Sequence, residues 1–334
     1  MADSSRRSLS IISILKLVLL IAILAWIVAS FPKKDWDALV AQDKDWGLLF
    51  VAFIGVLTAH LITFLRWRSL VAALDVPLKK LDAIRLGFLG TMLNMVSVGA
   101  IGGDLFKAIA AARMTQKRRT EVVTSVLVDR AIGLLGLVIV AASTLYVADD
   151  LSTNLQWIRR GATLLSVIGL GGLGIIVIAG HRIPLLWLHR VPLVGHSFFR
   201  VATACLVFQG KPKLVVHLLL TTFCVHGLLT SSMCLISNAL YEQPPTLMQH
   251  FQAVPPAFAA AALPLTPGGV GVQEVAVDRL FQEVSDIPDG FSGLIVATMY
   301  RAILIAIAAI GAIVYFTGSE RRLVRESDQL VSEA

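Results

Sequence analysis

The stretch Asn94-Met-Val-Ser-Val-Gly-Ala-Ile-Gly-Gly-Asp104-Leu-Phe-Lys107 interrupts an otherwise apolar region. A helix-like run stops at Gly102-Gly103, and a new run starts at once with Asp104 and Lys107 in its first turn. Paired glycines weaken a helix, so a break at this place needs a reason. Within a membrane, irregular backbone persists only where protein or a water-filled cavity satisfies its polar groups. A second interruption, Pro264-Leu-Thr-Pro267-Gly268-Gly269-Val-Gly271, lies towards the other end of the chain.

Composition sets the frame for both breaks. Of 334 residues, 56% are hydrophobic and only 15% charged, against about 25% charged in soluble domains. Long apolar runs therefore predict an all-α polytopic membrane protein. Six full spans are expected at 8–31, 47–65, 121–146, 155–180, 214–240 and 291–317. The second ends at Arg66-Trp67-Arg68, an interfacial signature. Two broken helices, 82–113 and 246–283, read as re-entrant hairpins. A returning arm of ten residues rises only about 15 Å, half the hydrocarbon thickness. Residues 183–210 mix apolar and polar groups and read as an interfacial segment, and 319–334 reads as a cytoplasmic tail. All of 1–334 is taken as one integral membrane domain. The three cysteines, Cys205, Cys224 and Cys234, have no metal or redox spacing, and the isolated histidines suggest neither a metal nor another cofactor.

Charge placement supports that layout. With six crossings and two hairpins that do not cross, both termini are cytoplasmic. Of the 29 Lys and Arg, eighteen then face the cytoplasm, five lie outside and six fall within membrane segments. This is the positive-inside bias. The first hairpin enters from the cytoplasm and the second from outside, the plan of an inverted repeat with binding at its interface. Gly102-Gly103 matches Gly268-Gly269, and Asp129-Arg130-Ala-Ile matches Tyr300-Arg301-Ala-Ile. Measured from the second glycine, the arginines follow at different distances, so the match needs an insertion.

The residue types point to an anion. Free N–H groups at the start of each returning arm, together with Lys107, Arg130 and Arg301, suit a phosphate, and an arginine fork grips two of its oxygens. Asp104 and Glu274 hold those cations, cap the arms or take up a proton. The candidate substrate-binding residues are Gly102, Gly103, Asp104, Lys107, Asp129, Arg130, Pro267, Gly268, Gly269, Gly271, Glu274 and Arg301. Plainer readings stand beside these: glycines that allow close helix packing, and Asp129-Arg130 as a structural ion pair.

The pattern Asn94…Gly102-Gly103-Asp104…Lys107, then Ser125-Val-Leu-Val-Asp129-Arg130, then Pro264-Leu-Thr-Pro-Gly-Gly-Val-Gly-Val-Gln-Glu274 resembles the transmembrane region of lysyl-phosphatidylglycerol synthases, whose stand-alone forms are called flippase-like. The resemblance covers about 10–317. Lys107 stands where the family pattern takes arginine as readily as lysine. The resemblance implies a multi-pass protein of a bacterial inner (plasma) membrane that moves lipids between leaflets. A lipid transporter, not an enzyme, is expected, with an anionic membrane lipid, a phospholipid or polyprenyl phosphate, as cargo. Lysyl transfer is not expected, since the cytosolic synthase domain is missing from this chain. The alternatives are a non-transporting partner of a lipid-modifying enzyme, and a membrane enzyme acting on a lipid phosphate. Nothing points to nucleic acid.

Overall fold

The computed structural model describes residues 37, 39–97, 102–113, 119–148, 150–179, 209–263, 266 and 268–317. Nine helices are described: α1 Trp46–Ala72, α2 Lys80–Val96, α3 Gly102–Arg113, α4 Arg119–Tyr146, α5 Thr153–Ala179, α6 Pro212–Leu240, α7 Leu247–Ala261, α8 Val272–Glu283 and α9 Gly293–Thr317. Among the described residues the only β pairing is an isolated bridge between Leu151 and Val284. Five helices are long and apolar enough to cross a membrane: α1, α4, α5, α6 and α9. The chain is an all-α polytopic membrane protein. The expected span at 8–31 and the tail at 319–334 lie outside the described residues, as does the segment 183–210 apart from Gln209 and Gly210.

Local chemistry sets the helix starts. Asp45 caps α1 by accepting from the N–H groups of Gly47 (2.8 Å) and Leu48 (3.1 Å). Pro212 opens α6 at the first turn, where its missing N–H costs nothing. Thr246 and Gln249 form a reciprocal capping box on α7. Pro255 and Pro256 lie inside α7, buried against its neighbours, and the helix continues through them.

The packing repeats itself. Helix α2 packs on α3, and α3 on α4; α7 packs likewise on α8, and α8 on α9. The first arm of each hairpin also packs on the long helix that follows the other hairpin: α2 on α9, and α7 on α4. Helices α1 and α6, which precede the two hairpins, pack along each other. Ala52, Val56, Met233, Ile236, Val254, Val296 and Ile307 are buried in the main core.

One expectation is corrected here. Arg66-Trp67-Arg68 does not end the second helix, and Arg66 and Trp67 do not face outward. Helix α1 runs on to Ala72, and Arg66 (5% exposed) and Trp67 (1%) are buried within it. The reason is a partner on another helix. Arg66 Nε donates to Asp129 Oδ1 of α4 at 2.8 Å, its Nη1 to Thr222 Oγ1 of α6 at 2.7 Å, and its Nη2 to the Asp129 carbonyl at 3.2 Å. One guanidinium thus joins three long helices. Leaving one member of a buried ion pair without the other costs far more than the pair itself contributes.

At one end of the bundle α5 and α8 are latched by Asn154, which donates to Glu283 Oε1 at 2.7 Å, and by Ser285, which donates to the Asp150 carbonyl at 2.8 Å. Hydrogen bonds from Ser152 and Asn154 hold the Glu283 carboxyl below its usual range.

Two measurements test these contacts. Arg66→Ala is expected to lower stability by about 3–5 kcal/mol, with Arg66→Ala/Asp129→Ala less destabilised than the sum of the single changes, both read by thermal unfolding in detergent. Because Glu283 is depressed in the folded state, its contribution is present above the ordinary glutamate pKa and disappears as pH falls through the folded value. The acid side of the stability profile should flatten in Glu283→Gln.

Candidate functional site

The two breaks meet. The N–H of Gly268 donates to the carbonyl of Ser97, which caps the end of α2, at 2.9 Å. Gly268 has φ +58°, and a Cβ there would run into the Met95 carbonyl. Only a residue without a side chain fits both the left-handed backbone and the close approach. The second break is thus seated on the first through main-chain atoms.

The first break differs from the expectation in one respect. Gly102 and Gly103 lie within α3 as its first residues, and α2 ends at Val96 with Ser97 as its C-cap. The glycines serve close packing, since a Cβ on Gly103 would overlap the Gly90 carbonyl of α2. Their N–H groups are not free for a ligand either. Ser97 Oγ accepts from Gly102 and Asn94 Oδ1 from Gly103, both at 2.8 Å. Two of the donors left over at a helix start are therefore satisfied within the protein.

At the second break, Arg301 of α9 takes the same task for carbonyls. Its Nη1 donates to Gly268 O at 2.8 Å, and its Nη2 to Gly269 O and to Gln273 Oε1, each at 3.1 Å. Its Nε donates to Glu274 Oε1 at 2.8 Å, while Glu274 Oε2 accepts from the Gly271 N–H at 2.8 Å. Both side chains are 3% exposed. Arginine is suited to this position because one planar group satisfies several carbonyls freed by a tight turn. Pro267 lies outside the described residues.

The first hairpin carries a different group. Asp104 is shared: Oδ1 meets Lys107 Nζ and Oδ2 meets Arg130 Nε, both at 2.8 Å. The carboxylate therefore does not stand alone. Lys107 Nζ also lies 5.7 Å from the centre of the Trp67 ring, in cation–π range. Trp67 in turn donates to Ser125 Oγ at 3.3 Å. The Arg130 side chain is 34% exposed, in contrast to the closed Arg301. Asp129, its neighbour in sequence, is turned away to Arg66, because successive residues on a helix point about 100° apart.

The two hairpins share one construction. Asp104 is the third residue of α3 and Glu274 the third of α8. Each lies 2.8 Å from the Nε of an arginine on the long helix that follows. Arg130 comes 26 residues after Asp104, and Arg301 comes 27 after Glu274. Aligned on the carboxylate, the two halves agree to within one residue. The glycine pairs misalign because Gly102-Gly103 begin a helix, whereas Gly268-Gly269 form the turn before one.

Residues 13–312 match the family model described as lysylphosphatidylglycerol synthase TM region. The chain belongs to that family. No curated protein matches it. The lysylphosphatidylglycerol synthase TM region is a membrane domain linked to lipid handling, so the geometry above belongs to a lipid-handling fold.

Of the residues singled out in the sequence, Asp104, Lys107 and Arg130 converge directly. Glu274, Arg301, Gly268, Gly269 and Gly271 form a second, closed group. Asp129 belongs to a third group with Arg66 and Thr222. Arg66, Gln273 and the capping roles of Ser97 and Asn94 were missed. A basic residue and an acid on separate apolar runs, Arg66 and Asp129, were a visible signal for a buried pair.

Gly268→Ala should separate the breaks. A non-glycine residue in the left-handed region costs about 1–2 kcal/mol, and the overlap with Met95 adds to that. Thermal unfolding should fall further for Gly268→Ala than for Gly271→Ala, where φ is +82° but nothing lies within 4 Å of an added Cβ.

Proposed function

We propose that this protein carries a phosphate-bearing anionic lipid between membrane leaflets, with Arg130, Lys107 and Asp104 receiving the head group. The carrying observation is a partly open cation beside a shared carboxylate: the Arg130 side chain is 34% exposed, that of Arg301 only 3%. Arg66–Asp129 and Arg301–Glu274 are one-to-one pairs, buried on both sides. In the first hairpin, one carboxylate is shared by two cations. A charged side chain at mid-membrane costs roughly 2.5–3.5 kcal/mol even on the lenient insertion scale, and such residues mark substrate pathways. A partly exposed guanidinium with a lysine at hand suits an anionic head group, since charge-assisted hydrogen bonds to phosphate are strong.

Depth supports the same reading. Arg130 lies eleven residues into α4, about 16 Å along the axis, close to half of a hydrocarbon layer about 30 Å thick. The short arms α3 and α8 have 12 residues each and reach about 18 Å, which fits re-entrant hairpins that do not cross. The repeated packing, with the Asp104–Arg130 and Glu274–Arg301 contacts in matching places, fits an inverted repeat whose two hairpins enter from opposite faces. The Lys and Arg bias fits a bacterial inner membrane with both termini in the cytoplasm. In this scheme Arg301 and Glu274 hold the second break in shape, and Asp104 limits how tightly the anion is held.

The test is leaflet exchange of fluorescent lipids in liposomes containing the purified protein. Arg130→Gln should reduce exchange of anionic lipid at least about tenfold, the value of one charged hydrogen bond, while thermal unfolding stays within a few degrees. Asp104→Asn should bind anionic lipid more tightly and exchange it more slowly. Undiminished exchange in Arg130→Gln would reject the assignment.

A further inference from the structure

Helices α1–α4 and α6–α9 match one for one, and so do their contacts. Besides the hairpin pairings, α1 packs on α2 as α6 packs on α7, α1 on α4 as α6 on α9, and α6 on α4 as α1 on α9. One substantial contact has no counterpart among the described helices: α5 packs along α4, and no described helix packs on α9 in that way. The α4–α5 contact is close. A Cβ on Gly169 of α5 would run into Leu135 of α4, and Ala142 of α4 is buried with Ala162 of α5. Leu135 stands five residues after Arg130, and Ala306 stands five after the matching Arg301. Ala306 is exposed, while Ala302 and Ala309, which share its face at helical spacing, are half-buried. The surface of α9 that corresponds to the seat of α5 is thus left open at Ala306.

Chain order names the occupant. Helix α5 precedes α6, and the apolar segment 8–31 precedes α1, the match of α6. That segment has 24 residues and a single charge, Lys16; as a helix it reaches about 36 Å. The connection to α1 is long enough. The N–H of Asp45, just before α1, donates to Ala239 O at 2.9 Å, and the N–H of Ser292, just before α9, donates to Tyr241 Oη at 3.2 Å. Helices α1 and α9 therefore start at one end of the bundle, where α6 finishes. Leu39, in the connection, is buried in the main core at that end. From 31 to 39 the chain can reach about 26–29 Å, and packed helices lie only about 8–10 Å apart. We propose that the segment 8–31 seats on α9 at Ala302, Ala306 and Ala309, antiparallel to it, as α5 seats on α4. The protein then has two five-helix halves, and the first helix of each half braces the arginine-bearing long helix of the other. This seat is the same whatever the cargo.

Cysteine cross-linking tests the seat in the full-length protein in membranes, with Cys205, Cys224 and Cys234 replaced by alanine. A disulfide needs Cα atoms within about 7 Å of each other. Ala306→Cys is combined in turn with a cysteine at each position from 15 to 22, oxidised, and read as a mobility shift of the monomer. Shifts should appear at positions three to four apart, the face of one helix turned to α9. Leu164→Cys, on the exposed face of α5, should give none with the same series. Should Ala306→Cys fail to fold, Ala302→Cys with positions 19 to 26 reads the same seat one turn nearer the start of α9. Cross-links to Leu164→Cys in place of α9 would put the segment on α5 and overturn the proposal. A dimer band alone, fading as the protein is diluted into excess lipid, would make this face of α9 a contact between two copies and overturn it as well. No cross-link to α9 in folded protein would reject the seat outright.

Discussion

A helix that breaks among apolar neighbours leaves main-chain groups with no water to bond, and they must find partners inside the protein. This chain has two such breaks and satisfies each partly with the other. The Gly268 N–H reaches the Ser97 carbonyl, Ser97 Oγ and Asn94 take the first N–H groups of α3, and Arg301 takes the carbonyls of Gly268 and Gly269. The packing of α2 on α9 and of α7 on α4 keeps these atoms in register. Moving either hairpin alone would strand several polar groups at once.

Charge is distributed by the same economy. Arg66 ties α1, α4 and α6 together through Asp129 and Thr222, and Arg301 ties α8 to α9 through Glu274. Both guanidiniums are almost fully enclosed, with their donors turned to protein acceptors. Asp104 alone is divided between two cations, and its arginine alone of the three is partly open. Because Asp129 is held by Arg66, the next residue on α4 is aimed towards Asp104. A structural pair thereby orients the residue proposed to meet the ligand.

The same part is used twice with different outcomes. A carboxylate at the third position of a short helix meets an arginine on the following long helix in both halves. In the second half the arginine is consumed by the turn Gly268-Gly269. In the first half, Ser97 and Asn94 accept from the first N–H groups of α3, and the Arg130 side chain is 34% exposed.

Sequence by itself determined the class. Apolar run lengths gave α1, α4, α5, α6 and α9 to within a few residues at most ends, because a helix that crosses hydrocarbon must be long and apolar. The two interrupted segments, and Asp104, Lys107 and Arg130 as neighbours, were also legible, since charges and glycines are conspicuous against that background. Only the tertiary structure decided the pairings. Arg66 looked interfacial because a charge at the end of an apolar run usually is; its partner lies 63 residues away on another helix. Gly102-Gly103 looked like a break because glycine disfavours helices, yet close contact with Gly90 outweighs that preference. The difference between a partly exposed Arg130 and an enclosed Arg301 was invisible in sequence, because exposure follows from what packs around a side chain.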